Sequence, residues 1–238
     1  MNAPEPSKRP YTTVGAREEA GLFRLLLDGH VARTPLRHPL ETRSRALALA
    51  LVAEWEAQGS KIDPKTMPMT RLLATKIDRV APAREAVIAE LMRHLDGDAI
   101  CYVAEGPASL RARQATLWQP IVDWLRDARG ISLAASVGVM PHTQMGAAHA
   151  AMKDAVCALD DDRLTVFQAV AAATHSLALA LAMVHGRLSA ANTFAAAFVD
   201  ETFQIEQWGD DPEARSRHEA IARDIAAAED YLQRATAV

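Results

Sequence analysis

The chain has 238 residues, enough for one large domain or two small ones with cores of their own, and we read two. Half the residues are apolar but only 5% are aromatic, and alanine dominates the second half, so close helix-on-helix packing is expected there. A formal charge of -4 excludes the basic field that a constitutive nucleic-acid binder needs.

The opening segment, MNAPEPSKRPYTTV, has no apolar stretch of the kind a secretory signal needs and carries Glu5 among its prolines, unlike an Arg-rich transit peptide. It reads as a short disordered lead-in. Tyr11 to Val14 and Phe23 to Leu27 read as strands, and Asp28-Gly29 ahead of Val31 is the dipeptide that favours a tight hairpin turn. Ser44 to Gln58 turns helical, with Leu47, Leu51, Glu54 or Trp55 and Gln58 on one side and Gly59 as the expected stop. A second helix is predicted over Arg71 to Val80 and a third from Pro82 to about Leu95. The Asp96-Gly97-Asp98 corner then leads into AICYVA, a strand or an extended segment.

The next helix carries Leu117, Ile121, Trp124 and Leu125 at helical spacing and ends at Gly130. Pro120 moves its expected start from Leu110 to near Trp118. ISLAASVGVMP is a small strand or a loop. Helices follow over Gln144 to Ala158, then from Leu164 to Gly186, where Gln168, Thr174, His175 and Ser176 argue for a core helix and against stable membrane insertion. Ser189 caps the next helix, which Gly209 ends. Asp211-Pro212-Glu213 opens the last, running to about Ala235. The expected fold is α+β, with a β-containing N-terminal domain over residues 1–80 and a helical C-terminal domain over 81–238.

The stretch Ser189 to Asp211 reads as one mostly buried helix. On a helical projection Phe194, Phe198, Ile205 and Trp208 share a face with Glu201 in their middle, and Val199 and Phe203 share a second sector with Glu206. Only Asp200, Gln204 and Gln207 form a broad polar face. Carboxylates in apolar sectors are satisfied by a cation or a backbone donor, or else line a binding surface.

No phosphate loop, dinucleotide fingerprint, HExxH or GxSxG is present. His142 and His149, and His175 and His185, lack the spacing of helical metal ligands, and the two cysteines, Cys101 and Cys157, form no zinc pattern; neither metal nor cofactor is expected. Both cysteines sit in apolar sequence and fit a reducing compartment, and the opening segment's lack of presequence character makes bacterial cytoplasm the expected location, or the mitochondrial matrix for a eukaryotic source. Trp55, Trp118, Trp124 and Trp208 are core residues or interface anchors. Aromatic stripes with embedded carboxylates and no catalytic motif suit a protein-binding module. A second reading, a small-molecule enzyme or ligand-binding protein, would gather Asp96, Asp98, His175 and Glu201 around a buried pocket.

Four separated segments, Trp55 to Val80, Asp98 to Leu125, Gly138 to Gln144 and Asp200 to Asp211 (DETFQIEQWGDD), resemble in order the family of ATP synthase assembly chaperones that act on the alpha subunit. Small departures are Met69, Lys76 and Gln119. The resemblance implies a protein that is not an enzyme, binds the unassembled alpha subunit, keeps it from aggregating and yields to the beta subunit. It also implies an important acidic residue in the last segment, most simply Glu201, with Glu206 as the other candidate, and a marked position at Trp55. The residues expected to bind the partner are therefore Glu201, Glu206, Trp208, Phe198 and Trp55.

Overall fold

The hairpin turn expected at Asp28-Gly29 is present: both residues take positive φ, 47° and 79°, the mirror-image geometry that suits two twisted strands. The computed structural model describes residues 7–138, 140, 142–209 and 211–237, so the first part of the expected lead-in lies outside the described residues. Its chain opens with β1 (Ser7–Lys8), β2 (Val14–Glu19), β3 (Leu22–Leu27) and β4 (His30–Val31). β2 pairs antiparallel with β3 from Val14↔Leu27 to Glu19↔Leu22, around a second tight turn at Ala20-Gly21. β5 (Glu41–Thr42) joins β3 beside β4 and completes a four-stranded sheet. Thr12 and Thr13, expected in the first strand, lie outside it because their amides donate to the Asp28 carboxylate; those bonds hold the carboxyl below its usual range.

α1 (Arg45–Glu56) starts where Ser44 accepts the Leu47 amide, 3.2 Å away, and buries Leu47 and Leu51 against the sheet. It ends before Gly59. Gln58 folds back, its amide donating to the Glu54 carbonyl and to the Thr66 hydroxyl, while its Oε1 accepts the Asp63 amide. β6 (Lys61–Ile62) pairs with β1, and α2 (Pro68–Thr75) runs on into a π-helical turn at Lys76–Val80. Met67 offers α2 no side-chain cap. Glu54 supplies one from α1 instead, accepting the amides of Met69 at 2.7 Å and Thr70 at 2.9 Å. Burial pushes the Glu54 carboxyl up and these donors pull it back. Glu54→Ala is expected to cost about 1–2 kcal/mol in urea unfolding, with Glu54→Gln recovering part of it.

The remaining elements are α3 (Arg84–Met92), β7 (Tyr102–Val103), α4 (Ala108–Arg129), β8 (Ser136–Val137), α5 (Gly146–Cys157), α6 (Asp161–Thr174), α7 (Leu177–Val184), α8 (Ala190–Ala197), α9 (Val199–Trp208) and α10 (Pro212–Thr236). β7 and β8 pair in parallel, so AICYVA and ISLAASVGVMP each hold one short strand. The fold is α+β. The chain divides into two compact units: one runs as far as Arg84 and includes the chain from Asp230 onward, and the other is Glu85–Glu229. The end of α10 thus belongs with the first unit, where the Ser44 hydroxyl donates to the Arg234 carbonyl.

In the second unit α7 is buried at every position and packs against α4, α6 and α8. The helix expected to run from Leu164 to Gly186 is two helices. His175 takes φ 53° and ends α6, and the Ser176 hydroxyl accepts the Leu179 amide to open α7. His175 is exposed at this corner, so it is not the core histidine that a continuous helix would have made it. Among the described residues no helix is long and apolar enough to cross a membrane. The Asp160 carboxylate caps α6 by accepting the Arg163 amide.

Pro120 does not delay α4, which begins at Ala108. The carbonyl that Pro120 leaves without a helical partner belongs to Thr116, on the exposed side, while Leu110, Trp118, Ile121 and Leu125 anchor the buried side. Gly130, at φ 66°, ends the helix. Cys101 is buried, and its thiol is pushed up to about 12 by that burial and by the Asp98 charge. Cys157 is exposed, contrary to its apolar sequence setting.

Candidate partner-binding surface

The stretch expected to form one helix breaks at Phe198, which has φ -111° and ψ 24°. Two contacts favour the break. The Ala196 carbonyl, which an unbroken helix would offer to the Asp200 amide, accepts the Trp118 indole N–H at 2.8 Å. The Phe198 ring stacks on Phe194 with centroids 4.7 Å apart and stays only 8% exposed.

The break turns α9 so that Val199 and Phe203 face inward, and Asp200, half-buried, accepts the Gln114 amide at 2.7 Å. Gln114 is itself buried and takes the Ala104 amide on its Oε1. Beside this pair the Arg113 guanidinium lies over the Phe203 ring and pairs with Glu206 at 2.6 Å. An open groove of about 440 Å³ runs along this side, lined by Ala112, Thr116, Leu117, Ala195, Val199 and Thr202.

The opposite side of α9 carries Glu201, Gln204 and Trp208, one turn apart in succession and all exposed. Glu201 Oε2 accepts the His218 Nε2 proton at 2.7 Å. The two glutamates are 48% and 45% exposed, so the buried setting expected for them does not exist. The inward sector is Val199 and Phe203; the stripe of Ile205 and Trp208 with Glu201 faces away, and Trp208 is 80% exposed.

Residues 8–126 match the profile of a family described as ATP12 chaperone protein. The chain belongs to the ATP12 chaperone family. It is similar to the crystal structure of Atp12 from Paracoccus denitrificans, with 34% identity, a TM-score of 0.87 and coverage of 95% of this chain and 97% of that one. A mutant of the same Paracoccus protein gives 33% identity, a TM-score of 0.88 and coverage of 96% and 98%. The protein named atp12, mitochondrial, from Schizosaccharomyces pombe is 23% identical over 87% of this chain and 75% of its own length.

Seen as an ATP12 chaperone, the chain brings Glu201, Gln204 and Trp208 to one face and Glu206 to the groove side. It leaves Phe198 buried as a support. Trp55 belongs to the first unit, half-buried beside Tyr11 at 5.5 Å, its indole donating to Thr70 and its carbonyl accepting the Tyr11 hydroxyl. The pocket imagined for an enzyme does not assemble. Asp96 accepts the Gln144 amide and the His149 imidazole, Asp98 serves the start of α7, and Glu201 pairs with His218. None of Asp96, Asp98, His175 and Glu201 lines the groove or a 140 Å³ cleft beneath α4. No described group of His, Cys, Asp and Glu could hold a metal ion. Arg113, Gln114 and His218 escaped the sequence reading: Gln114 lies 86 residues from Asp200 and His218 lies 17 from Glu201, and no local spacing marks such pairs.

Proposed function

We propose that this ATP synthase assembly chaperone binds the unassembled alpha subunit, covers the flank that the beta subunit will occupy, and is displaced when that subunit arrives. It transforms no substrate. The observation that carries the reading is the exposed side of α9, where Trp208 projects two turns beyond the half-exposed Glu201. A large aromatic in the open, beside a carboxylate with one oxygen already held, suits a partner patch that mixes apolar and cationic groups. Such a patch aggregates when bare, and a mixed cover can yield to the true partner where a wholly apolar one would hold on. The compartment we propose is bacterial cytoplasm, or the mitochondrial matrix, the latter in keeping with the names of the fungal relatives.

The test is to dilute denatured alpha subunit into buffer and follow light scattering. An equimolar amount of the protein should suppress the rise, and added beta subunit should draw the alpha subunit into an alpha–beta complex. Scattering that is unchanged by the protein would refute the proposal.

A further inference from the structure

His218 does more than donate a hydrogen bond to a neighbour. Its side chain is 12% exposed, its ring lies edge-on to Phe194 with centroids 5.8 Å apart and against Phe198 at 5.0 Å, and those two phenylalanines stack on each other. The imidazole is thus wedged into the corner between α8 and α9, with its position fixed by three contacts. From there Nε2 reaches Glu201 Oε2. A carboxylate has four lone-pair sites on two oxygens, so this bond holds the group while leaving Oε1 to accept from outside.

We propose that His218 is a positioning residue for partner binding: it sets the Glu201 carboxylate in the orientation in which its other oxygen meets a cationic group of the partner. A free glutamate side chain gives up much rotamer freedom when it is pinned at an interface. Here the pinning is done before the partner arrives, by a ring that cannot move without disturbing two others. The Arg113–Glu206 pair lies on the groove side of the same helix with both side chains 45% exposed, so its cation is far more open to water than the 12%-exposed His218.

The inference rests on alpha-subunit binding through Glu201, and the experiment separates the two. Dissociation constants for the alpha subunit are measured with the wild-type protein, His218→Phe, Glu201→Ala and the double variant. Phenylalanine keeps the ring packing and removes only the donor. The expected results are a loss of about tenfold for His218→Phe, a larger loss for Glu201→Ala, no further loss in the double variant, and partial recovery with His218→Gln, whose amide can donate. Additive losses, or a His218→Phe variant that binds like the wild type while Glu201→Ala does not, would overturn the positioning role and leave the partner assignment standing. Wild-type protein that does not bind the alpha subunit at all would overturn both.

Discussion

Asp98→Ala should lower the melting temperature by roughly 6–16 °C, from a loss of about 3–4 kcal/mol. Asp98 is fully buried, and its carboxylate accepts the Ser176 hydroxyl at 2.6 Å, the Ala178 amide at 2.9 Å and the Ile100 amide at 3.3 Å. The first two belong to the corner where α6 ends and α7 begins, and the neighbouring Ala99 amide donates to the His175 carbonyl of the same corner. Removing the carboxylate leaves buried donors without an acceptor exactly where the most deeply buried helix starts, and leaving such groups unpaired is one of the few changes that costs this much. Asp98→Asn should recover only part, because its NH₂ would face donors.

Burial pushes the Asp98 carboxyl above its ordinary range, although the donors from Ser176, Ala178 and Ile100 oppose the shift. A carboxyl raised on folding binds its proton more tightly in the folded state. Its contribution to stability therefore improves as pH falls through the folded value and levels off below the unfolded one. The stability gap between the wild type and Asp98→Ala should widen on going from neutral to mildly acidic buffer, measured by thermal or urea unfolding at each pH. A gap that narrows would mean that the donors outweigh burial and the carboxyl is lowered.

Glu201→Lys should weaken alpha-subunit binding by about a hundredfold or more, equivalent to roughly 3 kcal/mol, while the melting temperature stays within about 2 °C of wild type. The asymmetry follows from where the side chain sits. Glu201 is half exposed, and its carboxylate is held by the His218 imidazole at the surface, so the fold loses little. A partner cation that met a carboxylate would instead meet an ammonium, and like charges across an interface are strongly unfavourable. Calorimetry and a binding isotherm on the same preparation check both halves. A variant that melts far below wild type would make Glu201 a structural residue and remove the basis of the binding surface.

The turn at Asp28-Gly29, the Ser189 cap, the Gly130 stop and the Asp211-Pro212-Glu213 opening of α10 could be read from the sequence because each depends on local backbone chemistry, and all are present. The breaks at His175 and Phe198 could not. Each is supported by a group distant along the chain, Asp98 and Ala99 for the first and Trp118 for the second, and helical periodicity carries no trace of them. That same blindness misplaced the acidic residues. A projection drawn through Phe198 as though the helix were continuous puts Glu201 among buried rings; starting the helix afresh at Val199 turns it outward. Pro120 misled in the opposite sense, because proline chemistry is local but the stripe that keeps α4 intact on both sides of it spans more than four turns.

The measurement that bears most directly on the central claim is size-exclusion chromatography of this protein with newly refolded alpha subunit, before and after adding beta subunit. The account predicts a joint peak in the first run that divides in the second, with this protein released and the alpha subunit moving with beta. Separate elution of the two in the first run, or a joint peak that beta subunit leaves intact, would contradict it.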